Sequence, residues 1–324
     1  MGAMIRILSE ADTEKAFPPV EETVALVEEA LRSTASGATE IPPKAGLKPE
    51  SGKGFFHWMP FIDRPGGTGG VKWVSYFPGN AEKGLVDSHA LILLCDGRTG
   101  YPEGLVGGMG ITGLRTAAGA IVGARPFLPE PSTIALIGCG RIQATTALFI
   151  VAAFPSLKRV FVHARTAETR ESFCAAQTAT TGLPFHPAAT LREATADADI
   201  VISCIPQVAK PLLGPDDFKP GAVFVPLDVT ASWTQSVYER SDAVIADNVD
   251  QARIAATTRR PDMSLDLSRL LGMGDILLGR AEAPRHFRLL TSIVTGTAET
   301  DLFVARRVLQ RAAEMGLGTI VPFG

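Results

Sequence analysis

The sequence has few cysteines and almost no excess of charge. Its 324 residues include four cysteines, and none belongs to a Cys-x-x-Cys pair or has a histidine at metal-ligand spacing. A zinc site or a disulfide framework is therefore not expected, no metal is assigned, and a reducing cytoplasm is the predicted location. Lys and Arg number 31 against 34 Asp and Glu, for a net charge of -3, so no nucleic-acid partner is indicated.

Long apolar runs are also missing. No stretch approaches the roughly 20 apolar residues that a membrane-spanning helix needs, so no membrane partner is expected. The amino terminus lacks the basic-then-apolar order of a signal peptide. The chain is nevertheless 46% hydrophobic and 20% charged, which is typical of a globular protein, and its length suggests two domains.

One stretch near the middle of the chain predicts a dinucleotide-binding unit. The apolar run Thr133–Ile137 ends in Gly138-Cys139-Gly140, a helix-period segment follows, and Val160–Val162 is a second apolar run. This order of strand, glycine turn, helix and strand lets the backbone approach a pyrophosphate at a helix N-terminus. The third small residue of the fingerprint is replaced by Gln143. A purely structural turn is the alternative.

The end of the second strand indicates which cofactor is bound. An acidic residue usually stands there and holds the ribose hydroxyls of NAD. This chain has His163-Ala164-Arg165-Thr166 instead. Arg165 can pair with a 2′-phosphate and Thr166 can donate a hydroxyl to it. NADP(H) is therefore favoured, NAD(H) stays possible, and a solvent-facing arginine is the alternative interpretation.

Further apolar runs alternate with helical segments and predict a parallel doubly wound sheet. They cover residues 199–205, 222–229, 243–247 and 289–294. Ligands bind outside the carboxyl ends of such strands, where Gly138, Cys204 and Asp228 are expected. Asp228 is therefore predicted to face the cofactor crevice. The alternative is that it caps a helix that begins near Ser232 or Trp233.

Residues 265–278 have an apolar pattern that predicts one further helix before the last strand of this sheet.

Two cations in the N-terminal part stand among apolar neighbours. Lys72 shares one face of a predicted strand, Gly70–Phe77, with Val74 and Tyr76. Its side chain either snorkels to solvent or is buried for a purpose, and the sequence alone favours snorkelling. Arg115 starts a helix of small residues and needs a carboxylate or phosphate partner, so a substrate contact and a structural salt bridge both stay open.

These motifs together resemble the ornithine cyclodeaminase/mu-crystallin family, which includes archaeal-type alanine dehydrogenases and ketimine reductases. The matching segments span nearly the whole chain in the family's order. They are Met59-Pro60, Val71-Lys72-Trp73-Val74 with Pro78-Gly79-Asn80, Leu114-Arg115-Thr116-Ala117-Ala118, Ile137-Gly138-Cys139-Gly140 with Gln143, Asp228, and Gly296-Thr297-Ala298.

The resemblance implies an α/β fold class with two parts. Residues 127–296 are expected to form a Rossmann-type doubly wound parallel sheet that binds the dinucleotide. Residues 1–126 plus 297–324 are expected to form an α+β substrate-binding and dimerisation domain. The strands of that domain would complete a barrel across a homodimer.

The resemblance also implies roles for individual residues. Lys72 and Asp228 match the catalytic lysine and the general acid/base aspartate. The expected substrate-binding residues are Lys44, Met59, Lys72, Arg115 and Val294. The expected cofactor-binding residues are Arg115, Thr116, Gly138, Cys139, Gly140, Arg141, Ile142, Gln143, Arg165, Thr166, Cys204, Ile205, Asp228 and Val229.

Two departures bear on the substrate. Lys44 stands where the family often has a carboxylate-gripping arginine, and it is similar to the alanine dehydrogenase pattern more than to the cyclodeaminase one. The run Val229–Trp233 replaces a proline-glycine-lysine stretch that usually follows the aspartate. Because that loop is expected beside the site, the substrate side chain stays open.

The resemblance leaves three functions to compare. The favoured one is an NAD(P)-dependent oxidoreductase that transfers hydride at the α-carbon of a small L-amino acid or a cyclic or linear imino acid. The alternative is an ornithine or lysine cyclodeaminase, an ammonia-releasing lyase with recycled NAD, which needs an acid near the amine end of its substrate. A non-catalytic protein that binds small ligands with NADP is third, and Lys72, Arg115 and Asp228 argue against it.

Overall fold

The computed structural model describes residues 4–50, 52–206, 208, 210–260 and 262–324, and its chain divides into two compact units. The first unit runs to Arg115 and resumes at Thr297–Gly324, and the second is Thr116–Gly296. The division falls inside a long helix, whereas the sequence analysis put the domain boundary after that helix, at residues 126/127.

The first unit is built on a mostly antiparallel sheet, in the strand order β16-β1-β7-β6-β5-β4-β2 with β3 pairing to β4. The strands are β1 (Met4–Leu8), β2 (Thr39–Glu40), β3 (Ala45–Leu47), β4 (Phe55–Asp63), β5 (Thr68–Tyr76), β6 (Ser88–Asp96), β7 (Pro102–Gly107) and β16 (Thr319–Pro322). Its helices are α1 (Glu10–Lys15), α2 (Val20–Ala35), the start of α3 (Gly108–Ala124), and α10 (Ala298–Glu314), and Asn80–Lys83 forms a 3-10 turn.

The two faces of this sheet differ in burial. The register of β4, β5 and β6 aligns Met59, Lys72 and Ile92 in one row, and these three side chains are buried beneath α10. The side chains of the next row point to the opposite face of the sheet, because successive side chains of a strand alternate between the two faces. Trp73, in that row, is 44% exposed. Lys72 therefore lies on the covered face.

Helix α3 starts against a carboxylate from α1. Glu10 accepts hydrogen bonds from the backbone N–H groups of Met109 and Gly110, at 2.9 and 3.1 Å. A carboxylate at this end satisfies donors that a first helical turn cannot pair internally, and it favours the positive end of the helix dipole. This contact fixes the start of the helix that carries Thr112 and Arg115.

The second unit contains a wholly parallel sheet in the order β10-β9-β8-β11-β12-β15-β13-β14, which confirms the predicted parallel α/β architecture. Its strands are β8 (Thr133–Ile137), β9 (Arg159–His163), β10 (Phe185–Pro187), β11 (Ile200–Ser203), β12 (Ala222–Pro226), β13 (Ala243–Ala246), β14 (Leu270–Gly272) and β15 (Leu289–Ile293). Its helices are α4 (Arg141–Ala153), α5 (Ala167–Thr181), α6 (Leu191–Thr195), α7 (Gln235–Arg240), α8 (Val249–Arg259) and α9 (Met273–Leu277), with 3-10 turns at Pro215–Asp217 and Leu267–Arg269.

The central strands of this sheet are buried along their whole length. Every residue of β8, β11, β12, β13 and β15 is buried. Parallel sheets are covered by helices on both faces, which is why their strands appear in the sequence as unbroken apolar runs. The burial leaves the strand ends as the places where polar side chains can collect.

The prediction of one helix over residues 265–278 was wrong. The segment forms a 3-10 turn, strand β14 and the short helix α9. Leu270, Leu271 and Gly272 pair in parallel with β13, and this edge pairing outweighs the local helical pattern. Short apolar runs fit both a buried strand and a buried helix, so periodicity alone does not separate them.

In the described part of the chain, no helix has the length and apolar character that crossing a membrane requires. All four cysteines are free thiols.

Candidate active site

Lys72 lies at the centre of a buried polar cluster in the first unit. Its side chain is 1% exposed, and Nζ donates to Asp301 Oδ1 and to Thr112 Oγ1, each at 2.6 Å. Thr112 Oγ1 in turn donates to the carbonyl of Gly108 at 2.7 Å. The snorkelling that the sequence favoured was wrong, because a carboxylate on α10 supplies the partner that makes a buried ammonium tolerable.

Arg115 binds the same carboxylate oxygen. Its Nε donates to Asp301 Oδ1 at 3.2 Å, and its side chain is 10% exposed. The structural salt bridge that the sequence left open is therefore present. Only Nε takes part in this pair, so the two Nη atoms, which form the two-pronged end of a guanidinium, are not committed to Asp301.

Burial and neighbouring charges change the proton affinity of both partners. Burial lowers the pKa of Lys72 to about 8, with Arg115 adding to the effect and Asp301 opposing it. Burial disfavours the ionised form of Asp301, but Arg115 and Lys72 outweigh it and lower the pKa of that carboxyl. Lys72 can therefore gain or lose a proton close to neutral pH, which suits a general acid or base.

Two other predicted substrate-binding residues belong to the same part of the sheet. Met59 pairs with Lys72 across β4 and β5 and is 4% exposed. The half-buried Lys44 directly precedes β3, whose first residue, Ala45, pairs with Trp58 next to Met59. Met59 and Lys72 therefore occupy one row of the sheet, and Lys44 enters the strand beside them in sequence.

Asp301 was not among the residues predicted from the sequence. The acid is 0% exposed and stands in helical phase with Ala305, Val308 and Ala312, which are all buried. A carboxylate in phase with an apolar stripe has to be paired. The position of Asp301 on the apolar face of the helix could have identified it as a buried, paired acid. The sequence did not indicate which cation would pair with it.

The glycine turn of the second unit has the geometry of a phosphate site. Gly138 has φ +108°, and a Cβ there would lie 2.3 Å from the carbonyl oxygen of Cys204, so only glycine fits. Helix α4 begins next to it, and its N-cap residue is Gly140. Because a glycine offers no side chain to cap them, the first N–H groups of this helix suit an anionic ligand.

A cavity of about 750 Å³ in this unit opens beside the turn. Seven of the predicted cofactor residues line it: Gly138, Cys139, Gly140, Arg165, Thr166, Cys204 and Ile205. Thr166 also caps α5, since its hydroxyl accepts from the backbone N–H of Thr169 at 3.3 Å. None of the described residues that line the cavity carries a carboxylate.

Three other predicted cofactor residues begin α4 but do not line the cavity. Arg141 is exposed and Ile142 is partly exposed. Gln143 is fully buried, and its Nε2 donates to the carbonyls of Ile137 and Ile202 at 3.2 and 3.0 Å. In place of the fingerprint's third glycine, this amide joins the ends of two strands. The role of Gln143 in cofactor binding stays a prediction.

Asp228 follows β12 and is held by donors on both oxygens. The backbone N–H of Ile205 donates to Oδ2 at 3.1 Å, and Ser232 Oγ donates to Oδ1 at 3.0 Å. Burial raises the pKa of Asp228 to about 6, and these hydrogen bonds oppose the rise. The helix-cap alternative is wrong, because α7 begins at Gln235 with Thr234 as its N-cap.

Of the remaining predicted residues, Val229 and Val294 follow strand ends and Thr116 lies in a helix. Val229 is buried and has φ +64°, a strained value for a β-branched residue. Val294 is 6% exposed, and its N–H donates to the carbonyl of Pro226 at 3.1 Å, at the end of β12. Thr116 is buried in α3.

One unit has a parallel sheet with a glycine turn and the other holds a buried lysine, and this combination is typical of α/β proteins of the dinucleotide-dependent enzyme type. The sequence pattern of the ornithine cyclodeaminase/mu-crystallin family matches residues 4–315. The chain therefore belongs to that family, as the motifs indicated.

Individual relatives cover nearly the whole chain. The nodulation efficiency protein NfeD of Rhizobium meliloti is 26% identical over 327 residues, which are 100% of each chain. The alanine dehydrogenase of Archaeoglobus fulgidus is 26% identical over 339 residues, covering 98% of each. The structure of the Delta(1)-pyrroline-2-carboxylate reductase of Thermococcus litoralis with NADH and L-proline has a TM-score of 0.86 at 23% identity and covers 97% of this chain and 99% of that one. This last likeness establishes the fold.

Proposed function

We propose that this protein is an NADP(H)-dependent oxidoreductase that transfers hydride at the α-carbon of a small L-amino acid or of the corresponding imino acid. The observation that carries the proposal is the buried cluster of Lys72, Arg115 and Asp301. A lysine and an arginine on one fully buried carboxylate are costly to keep unless the cations serve a purpose. Relatives that act on alanine and on pyrroline-2-carboxylate support this reaction class.

The cations of the first unit suit an anionic substrate. In the proposal, the free Nη end of Arg115 and the ammonium of Lys44 hold the α-carboxylate. Lys72 already donates two of its three hydrogens, to Asp301 and Thr112, so one donor is left for the reacting imine or for water. With a pKa of about 8, Lys72 releases and regains that proton at physiological pH.

The second unit suits a dinucleotide. Because Gly138 has no side chain, a pyrophosphate can come close to the backbone there, and the start of α4, whose N-cap is Gly140, offers N–H donors to it. The cavity of about 750 Å³ extends to Arg165 and Thr166. The guanidinium of Arg165 and the hydroxyl of Thr166 can both donate hydrogen bonds to a 2′-phosphate. Since the described lining has no carboxylate to bind the ribose hydroxyls of NAD(H), NADP(H) is favoured. Bound there, the cofactor would supply or accept the hydride.

Asp228 is the second group that we propose for proton handling. Its pKa of about 6 lets it act as a base in the ionised form just below neutral pH and as an acid after protonation. In amine oxidation it would take a proton from the water that hydrolyses the imine. In imine reduction it would return one.

The deciding experiment follows absorbance at 340 nm with purified protein. Reduction of cyclic imino acids, or of pyruvate with ammonia, should consume NADPH, and NADH should serve less well. Production of ammonia from ornithine or lysine without net change of cofactor would instead identify a cyclodeaminase. If calorimetry detects ligand binding but neither assay detects turnover, the protein is a binding protein and the proposal fails.

A homodimer is proposed from the exposed face of the first sheet. Trp58 and Trp73 stack with ring centroids 6.3 Å apart, and Phe56 packs on Trp73 at 5.4 Å. Leu91, paired with Trp73, is 48% exposed, and Leu47, paired with Phe56, is 64% exposed. A contiguous apolar patch of this kind marks an interface. The barrel across the dimer and the cytoplasmic location stay predictions.

A further inference from the structure

The loop after β12 is buried along its whole length. Every residue from Asp228 to Trp233 is buried, and Val229 is the one non-glycine residue of the described chain with positive φ. Trp233 Nε1 donates to the carbonyl of Val229 at 2.7 Å, across the strained turn. The loop is therefore held in one compact conformation inside the unit and is not exposed on its surface.

A buried arginine fixes the loop from the other side. Arg260 Nη1 donates to the carbonyls of Thr230 and Trp233, at 3.2 and 3.3 Å. Its Nε donates to Asp262 at 2.7 Å, so the guanidinium is oriented by an acid that does not touch Asp228. Backbone held at three carbonyls leaves the Asp228 carboxylate little freedom to move toward other partners.

Two buried serines complete the surroundings of Asp228. Ser232 Oγ is 3.0 Å from Asp228 Oδ1 and 2.7 Å from Ser203 Oγ, and both serines are 0% exposed. An ionised carboxylate only accepts, so the single proton of Ser232 goes to Asp228. Ser203 must then donate to Ser232. The direction of the chain, from Ser203 through Ser232 to Asp228, follows from this count of protons.

We propose that Ser232, supported by Ser203, is a positioning residue that sets the proton affinity and the orientation of Asp228. Its importance for turnover rests on the proposed function, while its effect on Asp228 does not. The serine donates to one oxygen as the Ile205 N–H donates to the other, so the carboxylate plane is fixed from both sides. Hydrogen bonds to the charged form stabilise that form against burial.

The charged and titratable groups around this carboxylate are few. The Cys204 thiol, at the end of β11, has its pKa raised to about 12 by burial, with Asp228 adding to the rise, so it stays neutral. The Arg260 and Asp262 pair contacts the loop through backbone carbonyls. The serine hydroxyls and the backbone N–H groups of Ile205 and Ser232 are therefore the groups that favour the ionised carboxylate.

The test titrates Asp228 by NMR with 13C-labelled aspartate carboxyls, using Asp228→Asn to assign the signal. Ser232→Ala should raise the pKa of Asp228 above its value in the unmodified protein by on the order of 1 unit. Ser203→Ala should raise it by less, because Ser232 is retained. Ser203→Ala also serves as the second variant if Ser232→Ala does not fold.

Ser241→Ala is the matched control. Ser241 directly follows α7 and is buried, and its Oγ pairs with Thr291 Oγ1 on β15 at 2.8 Å, but it does not contact Asp228. An unchanged Asp228 titration in both Ser232→Ala and Ser203→Ala overturns the proposal. An equal shift in Ser241→Ala also overturns it, since the effect would then be one of general loosening.

The kinetic readout is separate from the titration. In the direction of amine oxidation, which needs ionised Asp228, the acidic limb of kcat should move to higher pH in Ser232→Ala by the same amount, with KM for the amino acid unchanged. A shifted titration with an unshifted limb would support the role of Ser232 and contradict the role of Asp228. If no variant or parent turns over any substrate, the function proposal fails while the titration still decides this one.

Discussion

Asp301 Oδ1 accepts hydrogen bonds from Lys72 Nζ at 2.6 Å, and the two residues are 229 positions apart in the chain. Neither side chain has more than 1% exposure. The acid sits in the first turn of α10 and the lysine in the middle of β5, so the pair ties the carboxy-terminal helix to the sheet at the point where Arg115 also arrives. Structure and proposed chemistry therefore depend on the same carboxylate.

Asp301→Asn should lower the pKa of Lys72 below about 8, because Asp301 is the neighbour that raises it and Arg115 remains to lower it. The kinetic pKa assigned to Lys72 should move down accordingly. Two buried cations without their counter-ion should also cost about 3–5 kcal/mol of unfolding free energy. pH-rate profiles and urea unfolding measure the two effects.

The control for that variant is Asp63→Asn. Asp63 is buried and pairs with Arg306 on the same helix at 2.6 Å, but it lies away from Lys72. It should destabilise the protein without moving the pH profile. A profile that shifts equally in both variants would show that Asp301 acts only through general stability.

Lys72→Met should abolish turnover while leaving cofactor binding intact. In the proposed mechanism the side chain, in the first unit, supplies a proton and a charge, and the proposed pyrophosphate site belongs to the second unit. Loss of a positioned acid or base costs about 10²- to 10⁴-fold in rate. Stopped assays give kcat, and fluorescence titration with NADPH gives the dissociation constant. A variant with a normal rate removes Lys72 from the mechanism.

The sequence predicted those structural features that depend on residues close together in the chain. The Gly138–Gly140 turn and the buried strands were predicted because local pattern and strand burial coincide in a parallel sheet. The burial of Lys72 was not, because it depends on Asp301, more than two hundred residues away. The hydrogen bonds of the Gln143 amide were not predicted for a similar reason, since its carbonyl partners come from two different strands. Pairings between distant segments are set by tertiary packing, which periodicity does not encode.

Asp228→Asn should stabilise the fold at pH 7.5 while abolishing activity. The folded pKa of about 6 exceeds the usual carboxyl value of 3.8, so the folded state binds the proton more tightly and loses stability as pH rises from about 4 to 6. Above that window the buried charge is a full cost, on the order of 1–3 kcal/mol. An amide avoids this cost, and the Ser232 hydroxyl can accept from it.

Urea unfolding of the parent and of Asp228→Asn, at pH 4 and at pH 7.5, measures the difference in unfolding free energy. The gain in unfolding free energy should be present at pH 7.5 and largely absent at pH 4. A variant that is less stable than its parent at both values contradicts the idea that Asp228 is held at a cost to folding.

Arg165→Ala should raise the KM for NADPH by about 10- to 100-fold, which is the loss of one or two charge-assisted hydrogen bonds. The KM for NADH should change little, since that cofactor has no 2′-phosphate. Arg159→Ala is the control, because Arg159 begins the strand at whose other end Arg165 lies. An equal increase in KM for both cofactors would mean that Arg165 does not bind the 2′-phosphate.

Trp73→Glu should separate the proposed dimer. Trp73 is 44% exposed at the centre of the aromatic face of the first sheet, on the side opposite Lys72, so a carboxylate there would be buried without a partner in an interface. Light scattering should report twice the chain mass for the parent and one chain mass for the variant. Leu148→Glu, at an exposed position on α4 in the second unit, should keep the parent's mass. A parent that is monomeric at micromolar concentration, or a Trp73→Glu variant of unchanged mass, would assign the aromatic face to something other than a second copy of this chain.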